Sequence, residues 1–181
     1  MVIRPACLIF SCPRNDRKLR TLNTLHGRLK SYDISIGGDR YAINVEGTLY
    51  MFTRSVFENI WVYRLEKTSE ELDRQEKTQI SQKLATSGPR NFFALASSEN
   101  TAIYVCGGFN ANTRLKSVMR LSLHTDPKNV KFKPMADMKE ARYNASACSA
   151  SASIYVFGGI NDSGWLSSIE ILNLKQFASQ W

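Results

Sequence analysis

The stretch Ile154–Leu172 reads IYVFGGINDSGWLSSIEIL, and Ile103–Leu121 reads IYVCGGFNANTRLKSVMRL. The two stretches lie 51 residues apart, and each places a short apolar run directly before two glycines. A repeat at this interval predicts a repeat architecture before it predicts any chemistry. An apolar run that stops at paired glycines is typical of a strand buried on both faces, followed by a turn that a side chain would obstruct.

Each repeat reads as four short strands. The small apolar segments FFALASS, from Phe92, and ASACSAS, from Ala145, precede the repeated run as strand one. The third strand alternates between polar and apolar residues, most clearly over Ser168–Leu172, and the fourth opens at an aromatic residue such as Phe132. Met138 follows it and is expected to pack between neighbouring sheets. A four-stranded unit of about 50 residues is the period of a β-propeller blade.

These repeats resemble the kelch repeat. The family's marks are the double glycine, here Gly107-Gly108 and Gly158-Gly159, and an aromatic residue about ten positions before an arginine, here Phe132 and Arg142. The resemblance implies an all-β fold made of kelch-type β-propeller blades, each with four antiparallel strands. It also implies an incomplete propeller of about three to four blades, because the chain holds fewer repeats than the family's closed propellers.

The repeat boundaries divide the chain into four parts. We expect a degenerate partial blade over residues 1–39 and a diverged kelch-like blade over 40–87, which carries a charged insertion at 66–83. A kelch blade follows over 88–141, and a last blade, lacking most of its fourth strand, covers 142–181. The insertion is interpreted as a solvated loop or a short helix, with a docking element as the alternative.

Composition and charge narrow the classes of function. The chain has 181 residues, 43% of them hydrophobic, and a net charge of +8. The basic residues are scattered from Arg4 to Lys175 and form no stripe with interleaved aromatic residues, so nucleic acid is not the expected partner. No apolar run approaches the ~20 residues of a membrane span, and ACLIF is too short for a signal peptide. We therefore expect no membrane partner and a cytoplasmic location.

The four cysteines and two histidines give no ligand cluster. No two cysteines are spaced as C-x-x-C, and His26 and His124 stand far apart in the sequence. We therefore predict no metal site, no cofactor and no catalytic residue, and we interpret Cys106 and Cys148 as reduced, buried thiols.

The kelch resemblance also implies where a partner binds. In that arrangement, the link into strand one and the loop after the glycine pair emerge on one rim, and binding surfaces favour Arg, Tyr, Trp and Asn. The predicted partner-binding residues are Arg90, Asn91, Asn110, Asn112, Arg114, Arg142, Tyr143, Asn144, Asn161 and Trp165. Two alternatives stay open: the repeated arginines are structural posts or ion pairs between blades, and the loops are ordinary solvated turns.

These observations predict a non-catalytic protein–protein interaction module. As a substrate-recognition or scaffold element, it would present loop residues to a protein or peptide partner. An acidic peptide is the first ligand to test. A ubiquitin-ligase role in the family requires a BTB domain, which this chain does not show. The alternatives are a kelch-type enzyme, either an oxidase or a sugar epimerase, and a basic nucleic-acid-binding surface.

Overall fold

The structure, a computed structural model, divides into two compact units, Met1–Gln79 and Ile80–Trp181. It describes residues 90–98, 102–110, 112–122, 131–175 and 181, and additionally the course and pairing of seven strands before residue 81. No helix in the described part of the chain is long and apolar enough to cross a membrane.

The first unit contains two antiparallel sheets. The first sheet has three strands in chain order: β1 (Cys7–Phe10), β2 (Lys18–Asn23) and β3 (Arg28–Asp33). The second has four strands, again in chain order: β4 (Arg40–Val45), β5 (Thr48–Arg54), β6 (Ile60–Leu65) and β7 (Gln75–Ile80). Consecutive strands are neighbours, as in a meander, which suits the short connections between them.

Strand β7 begins inside the predicted charged insertion, 66–83. Gln75–Ile80 forms the fourth strand of its sheet, so these six residues are neither loop nor helix. Their sequence, QEKTQI, has no apolar run to mark a strand, and polar side chains are common on strands at a sheet edge. The remainder of the insertion lies outside the described residues, and the boundaries 1–39 and 40–87 stay predictions.

The second unit contains the two strong repeats. One sheet consists of β8 (Ala94–Ser98), β9 (Ala102–Cys106), β12 (Val118–Ser122) and β13 (Lys131–Pro134), in the order β13-β12-β9-β8. The next consists of β14 (Ser146–Ala150), β15 (Ser153–Phe157) and β18 (Ile169–Asn173), in chain order. These are the seven antiparallel strands that the repeats predict, and the all-β class is confirmed.

Two short ribbons were not predicted. Each post-glycine loop contains a pair of two-residue strands: β10 (Phe109–Asn110) with β11 (Thr113–Arg114), and β16 (Ile160–Asn161) with β17 (Gly164–Trp165). Two residues are too few to show an alternating pattern, so these segments look like plain loops in the sequence.

Strand one of each repeat begins later than the sequence indicates. Strand β8 starts at Ala94 because Phe92 has a φ of 52°, a left-handed conformation that cannot continue a strand. Strand β14 starts at Ser146, and Asn144, the repeat equivalent of Phe92, has a φ of 53°. The amide of Asn144 donates to the carbonyl of Phe92 at 2.8 Å, which joins the segments that lead into strand one of the two repeats.

The core of the second unit lies between its two sheets. Small residues on β8, including Ala94 and Ala96, pack in one cluster with Ile154, Val156 and Leu172 of the following sheet. Small side chains let β8 and β14 approach closely, and the hydroxyl of Ser149 on β14 donates to a β8 carbonyl. Met138 is buried in the same cluster, as the sequence predicts, and Trp181 packs against it. The full cluster is Ala94, Ala96, Ala102, Tyr104, Cys106, Val118, Met138, Ile154, Val156 and Leu172.

The two repeated apolar strands differ in burial. All five residues of β9 are buried, as a strand covered on both faces requires. Strand β15 alternates, with Ile154 and Val156 buried but Phe157 36% exposed. The prediction of burial on both faces is therefore right for β9 and wrong for β15, because the described structure covers only one face of the second sheet.

Candidate interaction surface

Arg90 precedes the first of these sheets and is buried inside it. Nη1 donates to the carbonyls of Gly107 at 3.2 Å and Ser117 at 3.1 Å, and Nη2 donates to the Ser117 hydroxyl at 2.7 Å. Burial lowers the pKa of Arg90 to about 10, partly offset by Cys106 and Asp137, so the guanidinium is cationic near neutral pH. These hydrogen bonds connect the start of strand one to the turn after strand two, at Gly107, and to the segment before strand three, at Ser117.

Arg142 makes the same contacts in the second sheet. Nη1 donates to Gly158 O at 2.8 Å and to Ser168 O at 3.2 Å, and Nη2 donates to Ser168 Oγ at 3.0 Å. Nη2 also lies 2.8 Å from Oε1 of Glu170, and both side chains are buried. A charge-assisted hydrogen bond of this kind is stronger than one between neutral groups.

Glu170 was not identified from the sequence. Its carboxylate accepts hydrogen bonds from the backbone amides of Lys139 at 2.6 Å and Glu140 at 3.0 Å, in addition to the bond from Arg142. The equivalent position in the preceding repeat is Met119, so the repeat pattern gave no signal for a carboxylate. Within the described residues, Glu170 fixes the link between the two sheets as well as its own arginine.

The environments of Arg90 and Arg142 favour the structural alternative. A guanidinium that is buried and bonded to its own sheet does not face a partner at the surface. The hydrogen bonds of Arg90 to Gly107 and Ser117, and those of Arg142 to Gly158 and Ser168, are made to the sheet that each arginine precedes. A binding role for these two arginines stays a prediction, and the function proposed below does not use them.

The glycine pairs shape the turn that the arginines brace. Gly107 and Gly108 have φ values of 62° and 109°, and Gly158 and Gly159 have values of 57° and 95°. A Cβ atom on Gly107 would collide with the backbone oxygen of Arg142, and one on Gly108 would lie 2.6 Å from a backbone oxygen. Both the left-handed backbone and the lack of space therefore require glycine in the first pair.

The segment before strand one and the segment after strand two are neighbours, as the blade topology predicts. Asn91 and Phe109 exchange backbone hydrogen bonds of 2.8 and 2.7 Å. Tyr143 and Ile160 do the same in the next repeat, at 3.1 and 2.9 Å. Each segment that leads into strand one is thereby attached to the first strand of a ribbon.

The second strand of each ribbon presents a large side chain at the same place. Phe109 pairs with Arg114 across the first ribbon, and Ile160 pairs with Trp165 across the second. Arg114 and Trp165 are therefore structural equivalents, 51 residues apart. Trp165 is 86% exposed, the largest exposure of any large hydrophobic residue in the described chain.

Contacts between side chains join the two ribbons. The Tyr143 ring lies 6.3 Å from Phe92 and 5.6 Å from Phe109, measured between centroids. The Arg114 guanidinium lies 5.6 Å from the Phe109 centroid and forms a 2.7 Å ion pair with Asp162. Asp162 was not predicted, because this pair joins different positions of two repeats and an alignment of repeats does not reveal it.

We call this surface the loop rim. It consists of Asn91, Phe109, Arg114, Tyr143, Ile160, Asp162 and Trp165. Of the ten predicted partner-binding residues, Asn112, Asn144 and Trp165 are exposed, Asn91, Asn110, Arg114, Tyr143 and Asn161 are half-buried, and Arg90 and Arg142 are buried.

Comparison with known sequences decides the family. The profile of the kelch motif matches residues 90–138 and, again, residues 141–181. The chain belongs to the kelch-repeat family. No curated protein sequence matches it. The first matched segment begins at Arg90 and the second begins one residue before Arg142, so the two buried arginines open the two kelch repeats.

Solved structures confirm the propeller-type fold of this kelch chain. A fungal alcohol oxidase of the AA5 family, in complex with copper, superposes with a TM-score of 0.60 at 12% identity, over 92% of this chain. The structure of YjhT superposes with a TM-score of 0.63 at 9% identity, over 91% of this chain. At these identities the likeness shows the fold alone, and it tests neither the catalytic nor the non-catalytic alternative.

The chain spans about half the length of both solved structures, 49% of the oxidase and 51% of YjhT. The antiparallel sheets described above are not closed, which agrees with the expected incomplete propeller. In the part of the kelch chain that the structure describes, no three His, Cys, Asp or Glu side chains are grouped as a metal ion would require.

The rim of the kelch repeats offers one large exposed indole, one half-buried guanidinium beside a carboxylate, and several amides. Because these groups stand on ribbons that are hydrogen-bonded to the sheets, a partner would meet them in fixed positions.

Proposed function

We propose that this kelch chain is a non-catalytic protein-interaction module that binds a protein or peptide partner at the loop rim. The proposal rests on Trp165. Its side chain is 86% exposed, yet it lies on a ribbon whose other strand is hydrogen-bonded to Tyr143 through Ile160. An exposed indole on a rigid support offers a large contact area and loses little conformational entropy on binding. Such residues commonly dominate the energy of an interface.

The partner segment that fits the rim combines an apolar pocket with an acidic side chain. The pocket receives Trp165, and the acidic group contacts Arg114. Arg114 is 31% exposed and Asp162 is 79% exposed, so their ion pair contributes only about 0–1 kcal/mol to stability. A partner carboxylate therefore exchanges with Asp162 at little cost, and the amides of Asn112 and Asn144 are exposed for further hydrogen bonds.

We further propose that the module acts as a substrate-recognition or scaffold element in the cytoplasm. Cys106 and Cys148 are both free thiols, which suits a reducing compartment. The prediction that both are buried is right for Cys106 and wrong for Cys148, which is exposed. Localisation of the tagged chain by cell fractionation checks the compartment.

The test is selection of binding peptides from a displayed random library against the full chain, followed by affinity measurement. Trp165→Ala should weaken the selected peptides by about 30-fold or more, the loss expected of a hot-spot residue. Ile171→Ala, which also removes an exposed apolar side chain but lies on a sheet rather than on the rim, is the matched control. Equal affinities for the parent, Trp165→Ala and the control would refute the rim as the site.

A further inference from the structure

The first ribbon holds the guanidinium of Arg114 in place. Arg114 lies on β11 and pairs with Phe109 across the ribbon, and its guanidinium lies 5.6 Å from the centroid of the Phe109 ring. Its Nε atom is buried and has no hydrogen-bond partner in the described part of the chain. The attraction between a cation and an aromatic ring favours this position, so the terminal nitrogens of Arg114 are presented to an anion in a fixed place.

Asp162 is the more accessible member of the ion pair. It lies in the turn between β16 and β17, and its side chain is 79% exposed, against 31% for Arg114. The amide of Ser163 donates to Oδ1 of Asn161 at 2.8 Å, which orders the backbone of this turn. The Asp162 side chain can therefore rotate into solvent while its backbone stays in place, and this rotation opens Nη1 of Arg114 to another anion.

Stability does not account for the pair. The repeat equivalent of Arg114 is Trp165, and the repeat equivalent of Asp162 is Ala111. A pair that the blade fold required would recur at the same positions of both repeats, as the bonds of Arg90 and Arg142 to their own sheets do. An exposed ion pair also contributes little to the free energy of unfolding.

We propose that Asp162 is a built-in competitor for the acidic side chain of the partner. This inference rests on the proposed function, because it concerns the same rim. In the free chain, Oδ1 of Asp162 lies 2.7 Å from Nη1 of Arg114, and in the complex a carboxylate of the partner takes its place. The two carboxylates compete for one guanidinium, because like charges held side by side repel each other.

The covalent attachment of Asp162 makes it an effective competitor. A group that the chain holds beside its target acts at an effective concentration in the millimolar range, so a more dilute small anion does not displace it. Asp162 and Trp165 belong to the same ribbon, three residues apart. A partner segment that already holds the Trp165 indole delivers its own carboxylate at a comparable effective concentration. Arg114 should therefore recognise an acidic side chain only in a segment that also binds Trp165.

The experiment uses a peptide that is selected against the full chain and contains one glutamate, together with its counterpart that has glutamine at that position. Asp162→Asn should raise the affinity for the glutamate peptide by about 2- to 5-fold, the equivalent of one exposed ion pair, and leave the affinity for the glutamine peptide unchanged. Asp137→Asn is the matched control. It removes an exposed carboxylate that is not part of the loop rim and should change neither affinity.

A second pair of variants separates direct competition from a general effect of charge. In an Arg114→Gln background, Asp162→Asn should leave the affinity for the glutamate peptide unchanged, because the group for which the two carboxylates compete is gone. Circular dichroism spectra and thermal melts check that each variant folds.

Three outcomes overturn the proposal: equal gains with and without Arg114, no gain from Asp162→Asn in the parent chain, or selected peptides without acidic residues. If Trp165→Ala still weakens the peptides in any of these cases, the rim remains the binding site and only the competition is wrong. A chain that selects no peptide overturns the proposed function and this inference with it.

Discussion

Nη2 of Arg142 lies 2.8 Å from Oε1 of Glu170, and neither side chain is open to solvent. Removing one partner of a buried pair leaves the other charge without compensation in a medium that solvates it poorly. The Arg142–Glu170 pair therefore stabilises the second kelch repeat. The Arg114–Asp162 pair is exposed and should contribute less to stability.

Arg142→Ala should lower the free energy of unfolding by about 3–5 kcal/mol, the range for breaking a buried ion pair. Arg114→Ala should lower it by only about 0–1 kcal/mol, because its pair with Asp162 is exposed. Urea denaturation followed by circular dichroism measures both. Equal losses in the two variants would contradict the assignment of Arg142 as a structural residue.

Replacing Gly107 by alanine should destabilise the protein more than replacing its repeat equivalent, Gly158. Their φ values, 62° and 57°, are nearly the same, so both variants acquire a backbone strain of about 1–2 kcal/mol, the cost of a left-handed residue. A Cβ atom on Gly107 additionally collides with the backbone oxygen of Arg142, whereas the nearest atom to one on Gly158 is the backbone oxygen of Leu166, at 3.2 Å. The difference between the two unfolding free energies isolates the steric contribution, and a difference near zero would show that the turn relaxes.

Ala152→Gly should stabilise the protein. Ser151 and Ala152 connect β14 to β15 with φ values of 49° and 59°, the two positive values of a type I′ hairpin turn, in which glycine is favoured at the second position. Glycine adopts a left-handed conformation without the strain that alanine has there, so the substitution should raise the free energy of unfolding by about 1 kcal/mol. Ala150→Gly, at the end of β14, is the matched control and should lower it by about 0.5–1 kcal/mol.

Stability should fall as the pH rises above 9 because of Cys106. Burial raises the pKa of this thiol from 9.0 to about 12, so the folded state keeps a proton that the unfolded state loses. The contribution is complete below pH 9 and is lost as the pH rises toward 12, at up to about 1.4 kcal/mol per pH unit.

The measurement is the free energy of unfolding at several pH values for the parent chain, Cys106→Ala and Cys148→Ala. Cys106→Ala should flatten the dependence between pH 9 and 10, and Cys148→Ala, which removes an exposed thiol, should not. Above about pH 10 the lowered pKa of Arg90 acts in the opposite direction, since the unfolded state then binds the additional proton. A parent chain with no loss of stability from pH 9 to 10 relative to Cys106→Ala would refute the thiol's role.

The repeat pattern predicted the parts of the structure that recur. The strands and the glycine turns follow from the alignment of two copies, and the proximity of Asn91 to the post-glycine loop follows from the blade arrangement that the kelch resemblance implies. Glu170 could not be predicted, because its partner repeat has Met119 at that position and the carboxylate breaks the pattern. The ion pair of Arg114 with Asp162 joins unlike positions of the two repeats and is equally invisible in the alignment.

Burial was the least predictable property. Tyr104 and Tyr155 occupy equivalent positions of the repeated run, yet Tyr104 is buried and Tyr155 is only half-buried. At the next outward-facing position, Cys106 is buried and Phe157 is exposed. Whether such a position is covered depends on a neighbouring sheet, which no local pattern encodes. For the same reason, the burial of Arg90 and Arg142 depends on the turns that fold around them, and the residues next to them in the sequence do not reveal it.

Arg142 belongs to both kelch repeats at once. Its backbone carbonyl accepts from the amide of Gly108 at 2.8 Å and its amide donates to the carbonyl of Leu115 at 3.0 Å, both in the first repeat. Its side chain donates to Gly158 in the second repeat. Unfolding either repeat therefore removes bonds from the other, so the two should exchange their protected amide hydrogens as one cooperative unit rather than opening one after the other.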